Sequence, residues 1–240
     1  MNNSMNISGC GSIPAGEYEE ITVSGSGKLS GLVKCTSFSS AGFSSGEHIE
    51  CAEKVKNSGH LKFSGNVKAK NLSTVGDFLC GGDVNVSEEI SAAGAFDVKG
   101  GVTANKLSVS GLAKIGADVE TEKISINGSL KCPGLVNAES VDIRFDGKVE
   151  IGSLGGSKVV ISLNKVKKFF KRLPLLSSAM RNAKIATAIE ADEIEIDNVS
   201  CPRISGRNVV IGDGCVIDLV LYSESIEISP NAKVEKSEKF

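Results

Sequence analysis

Histidine side chains and glycine-rich segments are the parts of this sequence with the clearest potential for catalysis or nucleotide binding. The chain contains 2 histidines, His48 and His60, and each lies close to a glycine of a polar segment. The segment GSGKLSG, which starts at Gly25, departs from the GxGxxG dinucleotide-binding pattern because Ser30 stands where that pattern requires glycine. The GxxxxGK[ST] phosphate-binding loop does not occur in the sequence. We therefore predict no catalytic residue, no cofactor-binding residue and no nucleotide requirement.

The cysteine residues do not form a metal-binding or disulfide pattern. There are 7 of them, an odd number, and no two are spaced as in a CxxC motif. Their wide separation also differs from the dense cysteine frameworks of small secreted domains. We therefore predict no metal site and no disulfide framework.

Composition and charge argue against several partner classes. The chain has 27 basic and 29 acidic residues, so no global field directs it to nucleic acid or to a membrane surface. No apolar run approaches the roughly 18 residues that a membrane-spanning helix needs. The first twenty residues contain neither a basic start nor an apolar stretch, so they do not resemble a signal peptide. These features predict a cytoplasmic protein that binds no nucleic acid.

A repeat with a period of about 17 residues organises most of the sequence, and self-similarity at a fixed period is typical of repeat architectures. Its marker glycines recur at constant spacing, except for one interval that is longer by a single position, and they comprise Gly25, Gly42, Gly59, Gly76, Gly94, Gly111 and Gly128. Within a unit, apolar or small residues alternate with polar ones, and valine recurs eight positions after most markers, as at Val67 and Val84. Alternation with a period of two is typical of strands with one buried face.

Short strands in a fixed repeat predict a chain that coils back above itself. Three strands of three to five residues fit each unit, and successive coils would stack about 4.8 Å apart, the ordinary distance between paired strands. One coil buries too little apolar surface to offset its ordering entropy, so coils must stack on neighbours. We therefore predict an all-β parallel β-helix. Its inward positions would hold Cys35, Cys51, Cys80 and Cys132 as small buried side chains, whereas Cys10 would be exposed.

The repeat is interrupted in one basic segment, which divides the chain into predicted parts. These parts are a polar N-terminal tail (1–18), a first β-helix block (19–151), a basic insertion (152–188), a second block (189–234) and a C-terminal tail (235–240). The insertion contains no acidic residue between Gly152 and Ala188. Its apolar residues at i, i+3, i+4 and i+7 predict a short helix that ends near Pro174.

The predicted helix has three interpretations. It could pack its apolar face on the solenoid, contact anionic lipid or an acidic partner, or bind nucleic acid, although an isolated basic cluster is weak support for the last. The candidate residues for a membrane or partner contact are Val166, Lys167, Lys168, Phe169, Phe170, Lys171, Arg172 and Leu173. An acidic stripe in the second block could pair with the basic segment, and it comprises Glu190, Asp192, Glu193, Glu195 and Asp197.

The two ends of the predicted β-helix are candidate polymer interfaces. Each end would expose unpaired strand groups over an apolar cross-section, and such edges associate unless they are covered. We place the first coil at Ile21 and Val23 and the last at Ile226 and Ile228. These residues are the predicted interface residues for a homopolymer.

The repeated G-x-ϕ-x-ϕ-x-G-x-V coils, introduced by ITVSGSGKLSG, resemble the bactofilins, the polymer-forming cytoskeletal proteins of bacteria. The resemblance covers 18–151 well and 189–234 moderately, and it points to the longer Gram-positive form. It implies a right-handed β-helix, nucleotide-independent filaments, and roles in cell shape, in recruiting envelope-building enzymes or in motility. The chain departs from the family because it lacks the hydrophobic N-terminal targeting stretch and carries the basic insertion. Membrane association would then depend on 166–173.

Two other function classes fit parts of the pattern. A β-helical regulatory module similar to the C-terminal domain of the Min-system division inhibitor would dimerise and bind a partner instead of forming filaments. A β-helical enzyme would need a catalytic histidine with six-residue periods or clustered carboxylates, and the sequence offers only a local hexapeptide-like fragment, VVIGDGCVI. We therefore expect a scaffold rather than an enzyme.

Overall fold

The computed structural model describes residues 3–164 and 182–240, and within these ranges the chain is organised as 13 β-strands with no helix. The chain divides into two compact units, Met1–Thr121 and Glu122–Phe240. The strands of the first unit are β1 (Met5–Ile13), β2 (Gly16–Leu29), β3 (Leu32–Gly46), β4 (His48–Phe63), β5 (Val67–Cys80), β6 (Val84–Val98) and β7 (Val102–Ile115). The remaining strands are β8 (Val119–Leu163), β9 (Ala183–Ile185), β10 (Ala188–Ile196), β11 (Val199–Ile211), β12 (Val216–Ile228) and β13 (Lys233–Lys239).

In the first unit, every strand from β1 to β6 pairs in parallel with the strand that follows it. The register carries each repeat position onto the same position of the next turn, as in Gly59 opposite Gly76 and Phe78 opposite Phe96. The predicted parallel β-solenoid with about 17 residues per turn is therefore confirmed. The strands are longer than the predicted segments of three to five residues because the inter-turn ladder continues through the corners at the marker glycines.

The marker glycines are required by the close approach of successive turns. Gly76 has a φ of +109°, and a Cβ atom added there would lie 2.4 Å from the carbonyl oxygen of Gly59. The same contact recurs along the column, with the Cβ position at Gly94 2.3 Å from the carbonyl oxygen of Gly76. A side chain would therefore be excluded both by the backbone conformation and by the turn beneath it.

The core of the first unit is a set of stacked inward side chains. Phe78 and Phe96 are fully buried on neighbouring turns, and their ring centroids lie 5.2 Å apart in a stacked arrangement. Phe38 and Phe63 form an edge-on pair with centroids 6.5 Å apart. Aromatic pairs at these distances add attraction beyond the area that they bury. Phe78 and Phe96 are register partners, whereas Phe38 faces Val55 in the ladder, so its ring contacts Phe63 from a different column of the core.

The second unit continues the same architecture. Strand β8 winds over itself, since the amide of Asn164 donates to the carbonyl oxygen of Phe145 at 2.8 Å. Strand β10 pairs in parallel with 154–161 of β8 on one side and with β11 on the other. Strand β12 then pairs with β11 and β13. The described residues of this unit therefore also form a parallel solenoid.

The boundaries of the predicted insertion and tails need correction. Strand β8 extends to Leu163, so 152–163 belongs to the solenoid and not to an insertion. Strand β1 pairs with β2 over Met5–Ile13, where a polar tail was predicted, and β13 continues to Lys239 beyond the predicted end of the second block. Polar and glycine residues at these places are compatible with a strand because its outward face contacts solvent. The predicted helix with its candidate residues 166–173 lies outside the described residues.

The glycine column leads to a stability prediction. We expect Gly76→Ala to destabilise the first unit more than Gly9→Ala, although the two glycines have similar φ angles of +109° and +111°. Both alanines carry a backbone strain of about 1–3 kcal/mol, but a Cβ at Gly9 meets nothing within 4 Å, whereas the one at Gly76 overlaps Gly59. Overpacking of this kind adds about 1–3 kcal/mol. Urea denaturation followed by circular dichroism measures the difference, and equal losses would contradict an inter-turn origin.

Candidate assembly surfaces

The N-terminal end of the first unit is formed by β1 and not by the predicted interface residues. Ile21 and Val23 are 0% exposed because Met5 and Ile7 of β1 lie opposite them. Ile7 is itself mostly buried, so the apolar column extends into this turn. Among the described residues, β1 pairs with β2 alone, and its other edge carries no strand. The prediction that Ile21 and Val23 form the terminal turn is therefore wrong by one turn.

The C-terminal predicted residues do lie at a partly uncovered position. Ile226 and Ile228 of β12 are opposite Val209 and Ile211, which are buried. In contrast, Ile228 is 41% exposed and Ile226 is half-buried. Strand β13 covers only Val216–Tyr222 of β12. Within the described chain, the second half of β12 thus presents inward-type apolar side chains that no further turn overlays.

Polar contacts fasten this half of β12 to the turn before it. Arg207 Nε donates to Glu224 Oε1 at 3.1 Å, and Asn208 Nδ2 donates to the other carboxylate oxygen at 3.3 Å. Ser225 Oγ donates to Asn208 Oδ1 at 2.7 Å. The hydrogen bond from Arg207, followed by the one from Asn208, lowers the pKa of Glu224 below the ordinary carboxyl value. These contacts hold the strand in register while leaving its apolar residues accessible.

Along the side of the first unit, opposite charges alternate from turn to turn. Lys70 Nζ lies 3.6 Å from a carboxylate oxygen of Glu53 on one turn and 3.6 Å from Glu88 on the other. Lys106 Nζ is 2.8 Å from Glu89 Oε1. Exposed pairs contribute little stability individually, but alternation prevents like charges from stacking at the short inter-strand distance. This arrangement makes the side a solvated surface without a strong field of one sign.

The predicted contact between the acidic stripe and the basic segment is present for one pair. Lys158 Nζ lies 2.9 Å from Glu193 Oε2, which joins β8 to β10. The hydrogen bond to Glu193 raises the pKa of Lys158, and the same bond lowers the pKa of Glu193. Most other basic side chains of the segment lie outside the described residues, so the rest of this hypothesis stays a prediction.

Both histidines take part in contacts between turns. The amide of Asn66 donates to His48 Nδ1 at 3.0 Å, and Asn66 Oδ1 in turn accepts from the amide of Asp83 at 3.0 Å. His48 therefore belongs to a corner ladder in which each polar side chain binds the amide of the following turn. His60 Nδ1 lies 3.6 Å from Asp77 Oδ2, and its ring centroid is 5.9 Å from that of Phe43.

Sequence reasoning missed the exposed column to which Phe43, His60 and Asp77 belong. These residues occupy the outward position directly after successive marker glycines, and the regular spacing of the markers could have placed them together. Phe43 is 68% exposed. Within 3–164 and 182–240, no group of three or more histidine, cysteine or acidic side chains has the geometry to hold a metal ion. The column offers an aromatic and polar surface rather than a metal centre.

The described residues contain no helix that is long and apolar enough to span a membrane. The candidate membrane or partner residues Val166, Lys167, Lys168, Phe169, Phe170, Lys171, Arg172 and Leu173 lie outside the described ranges. Their predicted contact with lipid or with a partner stays a prediction from the sequence.

Comparison with known proteins finds two curated relatives from Bacillus subtilis (strain 168). One is named uncharacterized protein YhbE and is 32% identical over 110 residues, which are 45% of this chain and 44% of that protein. The other, uncharacterized protein YhbF, is 23% identical over 107 residues, which are 44% of this chain and 42% of that protein. The match thus spans less than half the length of each relative. No protein-family model and no solved structure matches the chain.

The contacts of Glu224 predict that the attachment of the second half of β12 to β11 depends on pH. A carboxylate whose pKa is lowered by folding stabilises the folded state above its unfolded pKa, and this stabilisation is lost as the pH falls through the folded pKa. We therefore expect Glu224→Gln to speed amide hydrogen exchange in 225–228 at pH 7, and we expect this effect to shrink as the pH falls through the lowered pKa of wild-type Glu224.

The matched control is Glu227→Gln, which removes a carboxylate from the same strand outside the Arg207 contact. Exchange is followed by mass spectrometry at pH 7 and at a series of acidic pH values, after correction for the intrinsic exchange rate. An effect of Glu224→Gln that stays the same throughout this series would contradict an ionic contribution.

Proposed function

We propose that this protein is a structural scaffold whose copies join through their terminal turns into nucleotide-independent filaments. The observation that carries the proposal is the exposure of Ile226 and Ile228 at positions whose equivalents one turn earlier, Val209 and Ile211, are fully buried. A turn from a second copy laid over β12 would bury these side chains in the way that β12 buries β11. The interface would therefore use the same contacts as the interior of the solenoid.

The strand edges support the same proposal. Inner turns have a hydrogen-bonded neighbour on each side, whereas β1 has one described neighbour, β2. An uncovered edge presents a row of backbone N–H and C=O groups that can pair with another chain. Such pairing needs neither a cofactor nor nucleotide hydrolysis, because the ladder and apolar burial supply the free energy.

The bactofilin resemblance gives this scaffold its proposed cellular setting. A right-handed coil is expected because connections between parallel strands of one sheet are right-handed in about 98% of cases. The protein would act in the cytoplasm as a polymer that supports cell shape, places envelope-building enzymes or contributes to motility. Association with a membrane surface would depend on the basic and apolar residues 166–173, through apolar insertion and attraction to anionic lipids.

The assembly proposal predicts different effects from two exposed apolar positions. We expect Ile228→Lys to abolish or strongly shorten filaments, because a lysine would be desolvated beneath an incoming turn. Val210→Lys is the matched control, since Val210 is 39% exposed against 41% for Ile228 but is an outward residue of β11. It should assemble like the wild type. Negative-stain electron microscopy and light scattering without nucleotide measure both variants.

Three outcomes would count against filament formation through the terminal turn. Equal assembly of the two lysine variants would exclude Ile228 from the interface, and equal loss would assign assembly to the lateral surface. A wild-type protein that stays a monomer or dimer at high concentration would instead favour the regulatory module that dimerises and binds a partner. Circular dichroism spectra must match for all variants, so that misfolding is not counted as lost assembly.

A further inference from the structure

Two cysteines face each other across neighbouring turns inside the first unit. Cys35 of β3 lies directly opposite Cys51 of β4, and their Sγ atoms are 2.8 Å apart. Both are free thiols, with 6% and 5% of their residue surfaces exposed. Paired strands are spaced about 4.8 Å apart, which lies within the Cα separation of about 4.4–6.8 Å that a disulfide requires. The two side chains also point to the same face of the ladder.

The cysteine pair lies where the register between β3 and β4 changes. The sequence separation between Cys35 and its partner Cys51 is one position shorter than the separation between Ser37 and its partner Lys54. One extra residue is therefore accommodated in β4 directly after the pair, as in a β-bulge. A covalent bond at this place would fix the local register of two turns that hydrogen bonding specifies less well.

An open groove gives small molecules a route to one member of the pair. Cys51 forms part of the groove wall together with Ala52, Ala69 and the stems of Lys68 and Lys70. Small residues in the corner column leave this space, since alanine and valine line it on the neighbouring turns. The two residues are almost equally buried, and Cys51 is the member of the pair that lines this groove.

We propose that Cys35 and Cys51 are a redox modification site, at which a peroxide converts the dithiol into a disulfide between turns. The Cys51 thiolate attacks one peroxide oxygen, which breaks the O–O bond, releases hydroxide and leaves a sulfenic acid. The released hydroxide takes up the proton that Cys51 lost when it became a thiolate, which gives the first water. The Cys35 sulfur then attacks Cys51 Sγ, the S–OH bond breaks, and the departing hydroxyl leaves with the Cys35 thiol proton as the second water. Overall, two thiols lose two hydrogens, and hydrogen peroxide is reduced to two waters.

The local environment sets the expected rate of this reaction. The hydrogen bond with Cys35 and burial both raise the pKa of the Cys51 thiol. Because the thiolate is the nucleophile, oxidation should be slow at neutral pH and should become faster as the pH rises. Such a site would respond to sustained oxidation and not to brief exposure. The inference is independent of filament formation, since the pair lies inside the first unit.

The test uses the full chain with Cys10→Ser, because the exposed Cys10 could otherwise link two copies. Protein treated with hydrogen peroxide is alkylated, denatured and digested with trypsin. Cleavage after Lys34 and Lys54 leaves both cysteines in one peptide, 35–54. We expect this peptide to lose two hydrogens and to escape alkylation. Further cleavage after Glu47 and Glu50 should leave two fragments joined until a reductant is added.

A folded-state measurement distinguishes the disulfide from incidental oxidation. Because the bond would close a loop of about 16 residues, we expect oxidation to raise the melting temperature by roughly 6–12 °C and reduction to reverse the change. Cys35→Ala and Cys51→Ala should each lose the shift. Cys201→Ala should keep the shift in melting temperature. Cys201 lies in the second unit, where its thiol donates to the carbonyl oxygen of Arg203 and to neither Cys35 nor Cys51.

The proposal would be overturned by any of three results. The first is an intact dithiol in peptide 35–54 after prolonged peroxide treatment at pH 9. The second is a sulfinic acid on Cys51 without the disulfide. The third is a shift of melting temperature in Cys35→Ala or Cys51→Ala that equals the shift of the parent protein. Filament assays on the same samples report separately on self-assembly, so failure of one proposal does not decide the other.

Discussion

The in-register hydrogen bonding of successive turns is the constraint on which the rest of this structure depends. Parallel pairing places each residue about 4.8 Å from its equivalent on the next turn. At the marker column the backbones of successive turns approach closely, and the Cβ position at Gly76 lies 2.4 Å from the Gly59 carbonyl oxygen. Glycine is therefore retained at each marker because backbone lies against backbone there. The repeat in the sequence is the direct consequence of this geometry.

The same register determines which side chains must be compatible with one another. Charges on the outer surface have opposite partners one turn away, as Lys70 does between Glu53 and Glu88. Inside, the buried Asn57 donates to Thr74 Oγ1 at 3.0 Å, so one polar residue in the core satisfies another on the adjacent turn. The Cys35–Cys51 pair arises in the same way. A substitution in a solenoid thus acts mainly on the turns directly above and below.

The repeat made the fold predictable, whereas the ends and the interrupted region were harder to predict. Seven glycine markers with alternating apolar residues could specify parallel coils because their spacing has few other physical explanations. Strand β1 was missed because its marker, Gly9, lies one position too close to Gly25 for the regular period, and its apolar residues, Ile7 and Ile13, are separated by small polar ones. Residues 152–163 were missed since they lack the regular marker pattern and depend on pairing with β10, which is distant in sequence.

The candidate interface was likewise predictable where the repeat is regular and unpredictable at the irregular end of the chain. Exposure of Ile226 and Ile228 could be predicted from their inward-type spacing in the last regular coil, but the burial of Ile21 and Val23 could not, because it depends on β1. Cys35 and Cys51 could be predicted at the same inward position because their unit is shifted by one residue in the sequence, but the contact between their sulfur atoms required the register of β3 and β4. An irregular position in a repeat is therefore informative, because the residues beside it are placed by pairing and not by the period.

The C-terminal end combines two kinds of surface on one strand. Strand β13 is charged, with Lys236 paired to Glu238, and it covers Val216–Tyr222. The remaining half of β12 carries Ile226 and Ile228, partly exposed. Apolar burial supplies affinity without orientation, whereas charged groups at the rim penalise wrong alignments. A chain added at this end would gain the burial only in the register that also accommodates β13. In the proposed assembly, the partial cover would therefore restrict the alignment of a second copy, and the uncovered half of β12 would supply the apolar burial.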